Sequence, residues 1–232
     1  MRFTLKQQTV FEITIVLGVM LLVKDVSDRL ALIGAGSIAM WCGIIVATLF
    51  MRKHNITWRQ RGLALPENKR AWLKAFGYAL VIIVASLVFM GGILPLITNA
   101  LGLTIPESST DRFEFFLGNV WLFLAYLVVV IWLGAALGEE LLMRGFLLNS
   151  LLTLFGDNKA GIAAAITVHA LIFGLLHISQ GIPGIIGTGV VAVILGSVYL
   201  YTKRQLFPLI LAHGLINSIS LTAYFVTDGK LT

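Results

Sequence analysis

Residues 117–155 have the sequence LGNVWLFLAYLVVVIWLGAALGEELLMRGFLLNSLLTLF, and the number of membrane crossings depends on how this stretch folds. Two adjacent carboxylates, Glu139 and Glu140, and the guanidinium of Arg144 interrupt an otherwise apolar run. An ionised side chain at membrane depth costs about 2.5–3.5 kcal/mol on insertion scales, so charges that persist there indicate a functional site. We therefore expect the rest of the chain to be organised around these three charges.

The composition predicts an integral membrane protein. Of the 232 residues, 58% are hydrophobic and only 12% are charged, whereas soluble domains have about a quarter of their residues charged. Apolar runs of about 20 residues cross the bilayer as helices, so the expected fold class is all-α, a polytopic transmembrane helical bundle. The single cysteine, Cys42, excludes an intrachain disulfide and a cysteine-based metal site.

Eight apolar segments predict a bundle of seven to eight helices in one membrane domain, residues 1–232. They are residues 9–23, 30–51, 75–103, 117–137, 141–155, 159–178, 185–201 and 206–225. Gly134 and Gly138 could reverse the chain between the fourth and fifth segments. We favour eight helices because Glu139 and His177 then lie toward the same side. The alternative places residues 139–155 along the inner surface, which keeps Lys203 and Arg204 on the cytoplasmic side.

The segment 52–74 is strongly basic, with seven Lys or Arg residues and one acid, Glu67. The positive-inside rule makes this segment a cytoplasmic loop and places the N-terminus in the cytoplasm. We expect it to contact anionic lipid headgroups, and we do not expect nucleic-acid binding. The acidic segment 104–115, with Glu107, Asp111, Arg112 and Glu114, is expected on the outer side.

Helix geometry separates the two carboxylates. Glu140 and Arg144 are four residues apart and therefore neighbours on one helix face, whereas Glu139 lies about 100° away from Glu140. Glu139 is then free to enter a cavity as a general base. The alternative is a buried structural network of all three side chains.

Two later segments add polar groups at helical spacing. Phe173 and His177 are four residues apart, as are His213 and Asn217. A carboxylate pair, two histidines and an asparagine on three helices are typical of a catalytic or metal site. His169 lies about 80° from His177 around its helix, and we interpret it as structural or at the cavity edge.

The ordered motifs resemble a known family. Glu-Glu-x-x-x-Arg at 139–144, Phe-x-x-x-His at 173–177 and His-x-x-x-Asn at 213–217 resemble the CPBP family of CAAX prenyl endopeptidases and bacterial relatives tied to bacteriocin processing or immunity. The catalytic motif region is residues 139–217, about a third of the chain. The resemblance implies an intramembrane endopeptidase that hydrolyses a peptide bond of a membrane-associated protein or peptide.

The resemblance also implies roles for the motif residues. Glu139 and His177 would activate the hydrolytic water, and His213 with Asn217 would form an oxyanion hole. Glu140, Arg144 and Phe173 would support the site. Family members are often called metalloproteases, and Glu139, His177 and His213 could bind zinc. The motif His-Glu-x-x-His is absent from the sequence, and we slightly prefer a metal-free mechanism.

A second class of function fits the same residues. The polar cluster could serve as a binding site in a non-catalytic immunity or chaperone-like membrane factor, or in a small transporter. We expect the protein in a bacterial inner or plasma membrane, where a prenylated CAAX substrate is not expected. Neither the substrate nor the oligomeric state follows from the sequence.

Overall fold

The computed structural model describes residues 4–104, 106 and 113–230. Every regular element in these residues is a helix, which confirms the all-α prediction. Glu107, Asp111 and Arg112, three of the four charges of the acidic segment, lie outside the described residues. The helices are α1 Leu5–Arg29, α2 Ala35–Lys53, α3 Lys69–Ala100, α4 Val120–Phe155, α5 Lys159–Leu175, α6 Gly181–Tyr201 and α7 Phe207–Val226, with short 3-10 turns at Glu114–Phe116 and Ile178–Gln180.

Five of the described helices are long and apolar enough to cross a membrane: α2, α3, α4, α6 and α7. α5 is apolar but shorter. The helices expose large apolar side chains outward, for example Leu80, Val84 and Leu96 on α3. In water so much exposed apolar surface would be unfavourable, whereas in a bilayer it faces lipid tails. The chain is an integral membrane protein.

The predicted chain reversal at Gly134 and Gly138 is wrong. α4 runs without interruption through 36 residues, and its middle, Leu127–Leu148, is a π-helix with i→i+5 hydrogen bonds. The described residues form seven long helices, which agrees with the predicted seven to eight but not with the favoured eight. The surface-helix alternative is wrong as well, because every residue from 140 to 152 is buried inside the bundle.

The glycines of α4 serve close packing instead of a turn. A Cβ atom built on Gly134 would lie 1.9 Å from Ser37 Oγ on α2, and one built on Gly138 would lie 3.2 Å from Met40 Cγ on the same helix. Small residues allow membrane helices to approach closely. α4 thus becomes the central helix, in contact with α1, α2, α5, α6 and α7.

Helix ends are set by local sequence. α3, α4 and α5 each follow an asparagine whose side chain accepts a backbone N–H of the first turn: Asn68, Asn119 and Asn158. α4 ends at Gly156, whose φ of 93° suits glycine. Arg52 and Lys53 belong to α2 and residues 69–74 to α3, so the basic loop is shorter than predicted and spans residues 54–68.

Candidate active site

The predicted pair of Glu140 and Arg144 is present in the centre of α4. Arg144 Nη1 donates to Glu140 Oε1 at 2.8 Å, and both side chains are 0% exposed. The two charges are thus removed from lipid and water together, which is the arrangement that makes buried ions tolerable. Glu139, the preceding residue, is only partly buried, with 18% of its side chain exposed.

α7 contributes His213 to the same carboxylate. His213 Nδ1 lies 2.8 Å from Glu140 Oε1, so this oxygen contacts nitrogens of both Arg144 and His213. The other ring nitrogen, Nε2, lies 3.9 Å from Glu139 Oε2. That separation is too long for a direct hydrogen bond, but it would allow one water molecule to bridge the two groups. The contact with Glu140 fixes the ring so that Nε2 is directed toward Glu139.

α5 closes the cluster from another direction. The guanidinium carbon of Arg144 lies 4.8 Å from the centre of the Phe173 ring, a cation–π contact. The Phe173 and His177 rings are 4.8 Å apart, and His177 Nδ1 lies 2.9 Å from the carbonyl oxygen of Phe173. A carbonyl oxygen only accepts, so Nδ1 carries the proton and the neutral ring keeps its lone pair on Nε2.

His169 is buried within the bundle, which agrees with its interpretation as a structural residue. Its side chain is fully buried and its ring is stacked 6.4 Å from that of Phe173. The rings of residues 169, 173 and 177 therefore form one column, and Arg144 contacts its middle member, Phe173. The four-residue spacing was visible in the sequence, but nothing in it showed that Arg144 would face this column.

The structure does not join all predicted site residues. Within the described residues, no hydrogen bond or ion pair connects His177 or Asn217 to Glu139. Asn217 lies one turn after His213 on α7 and is half-buried. Glu139, Glu140, Arg144 and His213 form the polar centre, Phe173 and His177 lie beside it, and Asn217 follows His213.

Unpartnered polar atoms concentrate at this site. Among the described residues, the buried side-chain atoms without a hydrogen-bond partner include Glu139 Oε2, Glu140 Oε2, Arg144 Nε and Nη2, and both ring nitrogens of His169. Buried polar atoms are normally satisfied by protein or ordered water. The cluster therefore has spare hydrogen-bonding capacity for water or for a polar ligand.

Comparison with known proteins agrees with the motifs. Residues 119–219 match the family model for type II CAAX prenyl endopeptidase Rce1-like proteins. This region begins at the start of α4 and ends within α7, so it contains every residue of the polar centre. The match confirms the resemblance to the CPBP family over these residues. The comparisons with curated proteins and with solved structures gave no match.

Proposed function

We propose that this protein is an intramembrane endopeptidase of the CAAX-protease-like type, which hydrolyses a peptide bond of a membrane-associated protein or peptide. One observation supports this above all: the Glu139 carboxylate is partly exposed and lies 3.9 Å from His213 Nε2, in a region that matches an endopeptidase family. A carboxylate with a free oxygen can accept a proton from water, and a histidine N–H beside it can donate to the oxyanion that forms.

Glu139 and His177 are the proposed water-activating pair. Glu139 has an oxygen, Oε2, without a partner among the described residues, so it can accept the proton of a water. His177 presents Nε2 as an acceptor because Nδ1 donates to the Phe173 carbonyl. Phe173 orients His177 through this backbone contact and through ring packing.

His213 and Asn217 are the proposed donors to the oxyanion of the tetrahedral intermediate. His213 Nδ1 is taken by Glu140, so donation must come from Nε2, which then has to carry a proton. The Glu140 carboxylate behind the ring stabilises the positive imidazolium that this needs, as a carboxylate does behind other catalytic histidines. Asn217 supplies an amide N–H one turn further along α7.

Zinc is a less natural fit to these side chains. Within the described part of the chain, no three His, Cys, Asp or Glu side chains come together as metal ligands. Glu139 and His213 are close, but within the described residues no hydrogen bond or ion pair joins His177 to either of them. We therefore propose water activation by side chains alone. Metal analysis of active enzyme decides the matter: stoichiometric zinc, with activity lost on chelation and restored by zinc, would contradict this mechanism.

Replacement of Glu139 tests the proposed activity. Glu139→Gln keeps the size of the side chain but removes the base, so we expect cleavage of a quenched fluorescent peptide library in lipid vesicles to fall by at least about 100-fold. Glu12→Gln is the matched control, because Glu12 is a buried carboxylate on α1 that pairs with His54, away from the site. It should retain cleavage. Unchanged turnover in folded Glu139→Gln protein would exclude the proposed role.

A further inference from the structure

Two loops at one face of the bundle are locked together. The backbone N–H of Leu206 donates to the carbonyl oxygen of Gly62 at 3.1 Å. Gly62 has φ of +96°, and a Cβ atom built there would lie 1.7 Å from the carbonyl oxygen of Arg204. Only glycine fits this contact. The basic loop 54–68 is therefore fixed against the α6–α7 loop, residues 202–206.

The contact brings the positive charges of Arg61 and Arg204 together, and no buried carboxylate of the described residues pairs with them. Arg61 is half-buried, and its Nε atom has no partner within the described residues. No carboxylate of the described residues forms an ion pair with it. Arg204 lies 3.6 Å from Asp157, whose side chain is 74% exposed, which makes this a weak surface pair.

The burial of Arg61 near Arg204 and the backbone conformation of residues 203 and 204 are both energetically unfavourable. Burial lowers the pKa of Arg61, Tyr199 opposes the change, and the positive charge of Arg204 lowers it further. Lys203 and Arg204 have φ of 57° and 68°, a left-handed conformation that is uncommon for residues other than glycine. Strain of this kind persists where the surrounding structure enforces it, often at ligand sites.

Aromatic side chains place these loops at the level of lipid headgroups. Tyr201, which ends α6, is 76% exposed and packs on Tyr78 with ring centres 5.9 Å apart. Trp72 packs edge-on against Phe207 at 5.0 Å. Tyrosine and tryptophan are enriched where a membrane protein crosses the interface.

We propose that Arg61 and Arg204 form a binding site for a phosphate group, supplied by an anionic phospholipid at this membrane face. Guanidinium groups bind phosphate oxygens through paired N–H donors, and a phosphate between the two would supply the missing counter-charge. This site is independent of the proposed peptidase activity. It goes beyond a general attraction of basic loops to the membrane, because it depends on two particular residues from different loops.

The site is connected to the central helix by hydrogen bonds. The Tyr199 hydroxyl donates to the carbonyl oxygen of Arg61 at 2.8 Å. Asn149 Nδ2 lies 2.8 Å from that hydroxyl and 2.8 Å from the carbonyl oxygen of Arg144. A phosphate that orders Arg61 therefore also stabilises the turn of α4 that follows the candidate active site.

Titration with phosphatidylglycerol tests the site in the intact protein. We expect this lipid, added to protein in detergent micelles, to raise the melting temperature saturably, whereas phosphatidylcholine should not. Arg61→Gln and Arg204→Gln should each weaken binding by about tenfold or more, the usual effect of losing a charged hydrogen bond. Arg59→Gln is the matched control, because Arg59 is an exposed arginine two residues away and loses the same charge.

The outcomes separate the sources of phosphate. A shift with phosphatidylglycerol alone supports the lipid, and an equal shift with inorganic phosphate that is lost in the arginine variants assigns the same site to free phosphate. Equal weakening by Arg59→Gln and Arg61→Gln would overturn the proposal, as would equal shifts with both lipids. Should Arg61→Gln fail to fold, Arg61→Lys keeps the charge and removes the paired donors, and it should still weaken binding.

Discussion

The carboxylate of Glu140 is shared between two helices. Its Oε1 atom contacts Arg144 on its own helix and His213 on α7, each at 2.8 Å. A side chain that was expected to support the site by pairing with Arg144 thus also orients the imidazole of a candidate catalytic residue. Removal of Glu140 leaves the buried charge of Arg144 without a carboxylate, and removal of Arg144 leaves the buried charge of Glu140 with His213 as its one remaining partner among the described residues, so either loss is more costly than removal of both.

We expect Arg144→Met and Glu140→Gln to destabilise the protein strongly, with about 3–5 kcal/mol for Arg144→Met. The double variant should lose less than the sum of the two, because neither charge is then left alone. Unfolding in mixed detergent micelles with increasing denaturing detergent measures these differences. Lys24 and Asp28 are the control pair, with the same spacing but on an exposed face. There Lys24→Met should cost under about 1 kcal/mol. Strict additivity at 140 and 144 would contradict the coupling.

The spacing of residues in the sequence predicts the contact of Glu140 with Arg144 but not its contact with His213. The four-residue interval between Glu140 and Arg144 predicts their pairing, because helix geometry alone makes them neighbours. The contact of Glu140 with His213 spans 73 residues and depends on how α4 and α7 pack. No local pattern specifies it. The same holds for Phe173, whose contact with Arg144 depends on the packing of α5 against α4.

At the scale of elements, the prediction that was wrong is the chain reversal at Gly134 and Gly138 of α4. Glycine serves both tight turns and close helix packing, and the two uses leave the same pattern in an apolar sequence. The decisive fact is the partner, Ser37 on α2, which lies far away in the chain. The all-helical fold followed from composition and apolar run length, whereas the continuity of α4 followed only from tertiary packing.

Substitution at Gly134 distinguishes packing from turn formation. Gly134→Ala places a Cβ atom 2.5 Å from Ser37 Cβ, so we expect destabilisation by about 1–3 kcal/mol through overpacking. Ser37→Gly removes the obstructing atoms and should restore most of the loss in the double variant. Gly77→Ala is the control, because a Cβ atom there would meet nothing within 4 Å and alanine favours the helix. Thermal unfolding in detergent reports all four proteins. A failure of Ser37→Gly to compensate would argue against direct contact.

At the scale of the whole molecule, the contacts between loops bear on a conflict in the sequence analysis. There, placing Glu139 and His177 toward the same side put Lys203 and Arg204 on the opposite side from the basic loop. Loops 54–68 and 202–206 meet through Gly62 and Leu206, and Arg204 approaches Asp157 after α4. Because residues 120–155 form one helix, the turn that contains Asp157 lies at the far end of α4 from Val120. The contacts place this turn and the loops 54–68 and 202–206 at the same face of the bundle. His177 can still reach the candidate site, since Glu139 lies in the middle of α4 and not at its end. By the positive-inside rule we propose that this face is cytoplasmic.

Cysteine labelling tests this arrangement. In a Cys42→Ala background, Arg59→Cys and Lys203→Cys should react with a membrane-impermeant maleimide only after cells are permeabilised. Leu101→Cys, at the end of α3 and 64% exposed, should react in intact cells. Labelling of Lys203→Cys together with Leu101→Cys in intact cells would contradict this arrangement, in which three helices, α4 to α6, cross the membrane between the two positions.

The hydrogen bond between Tyr199 and Arg61 also constrains the order of events during biosynthesis. The two residues are 138 positions apart, and at about 5–20 residues per second a ribosome needs roughly 7–28 s to synthesise that length. Throughout this interval the loop after α2 exists without its final partner. The polar centre likewise needs His213 from α7, so a nascent chain without α7 does not hold the assembled candidate site.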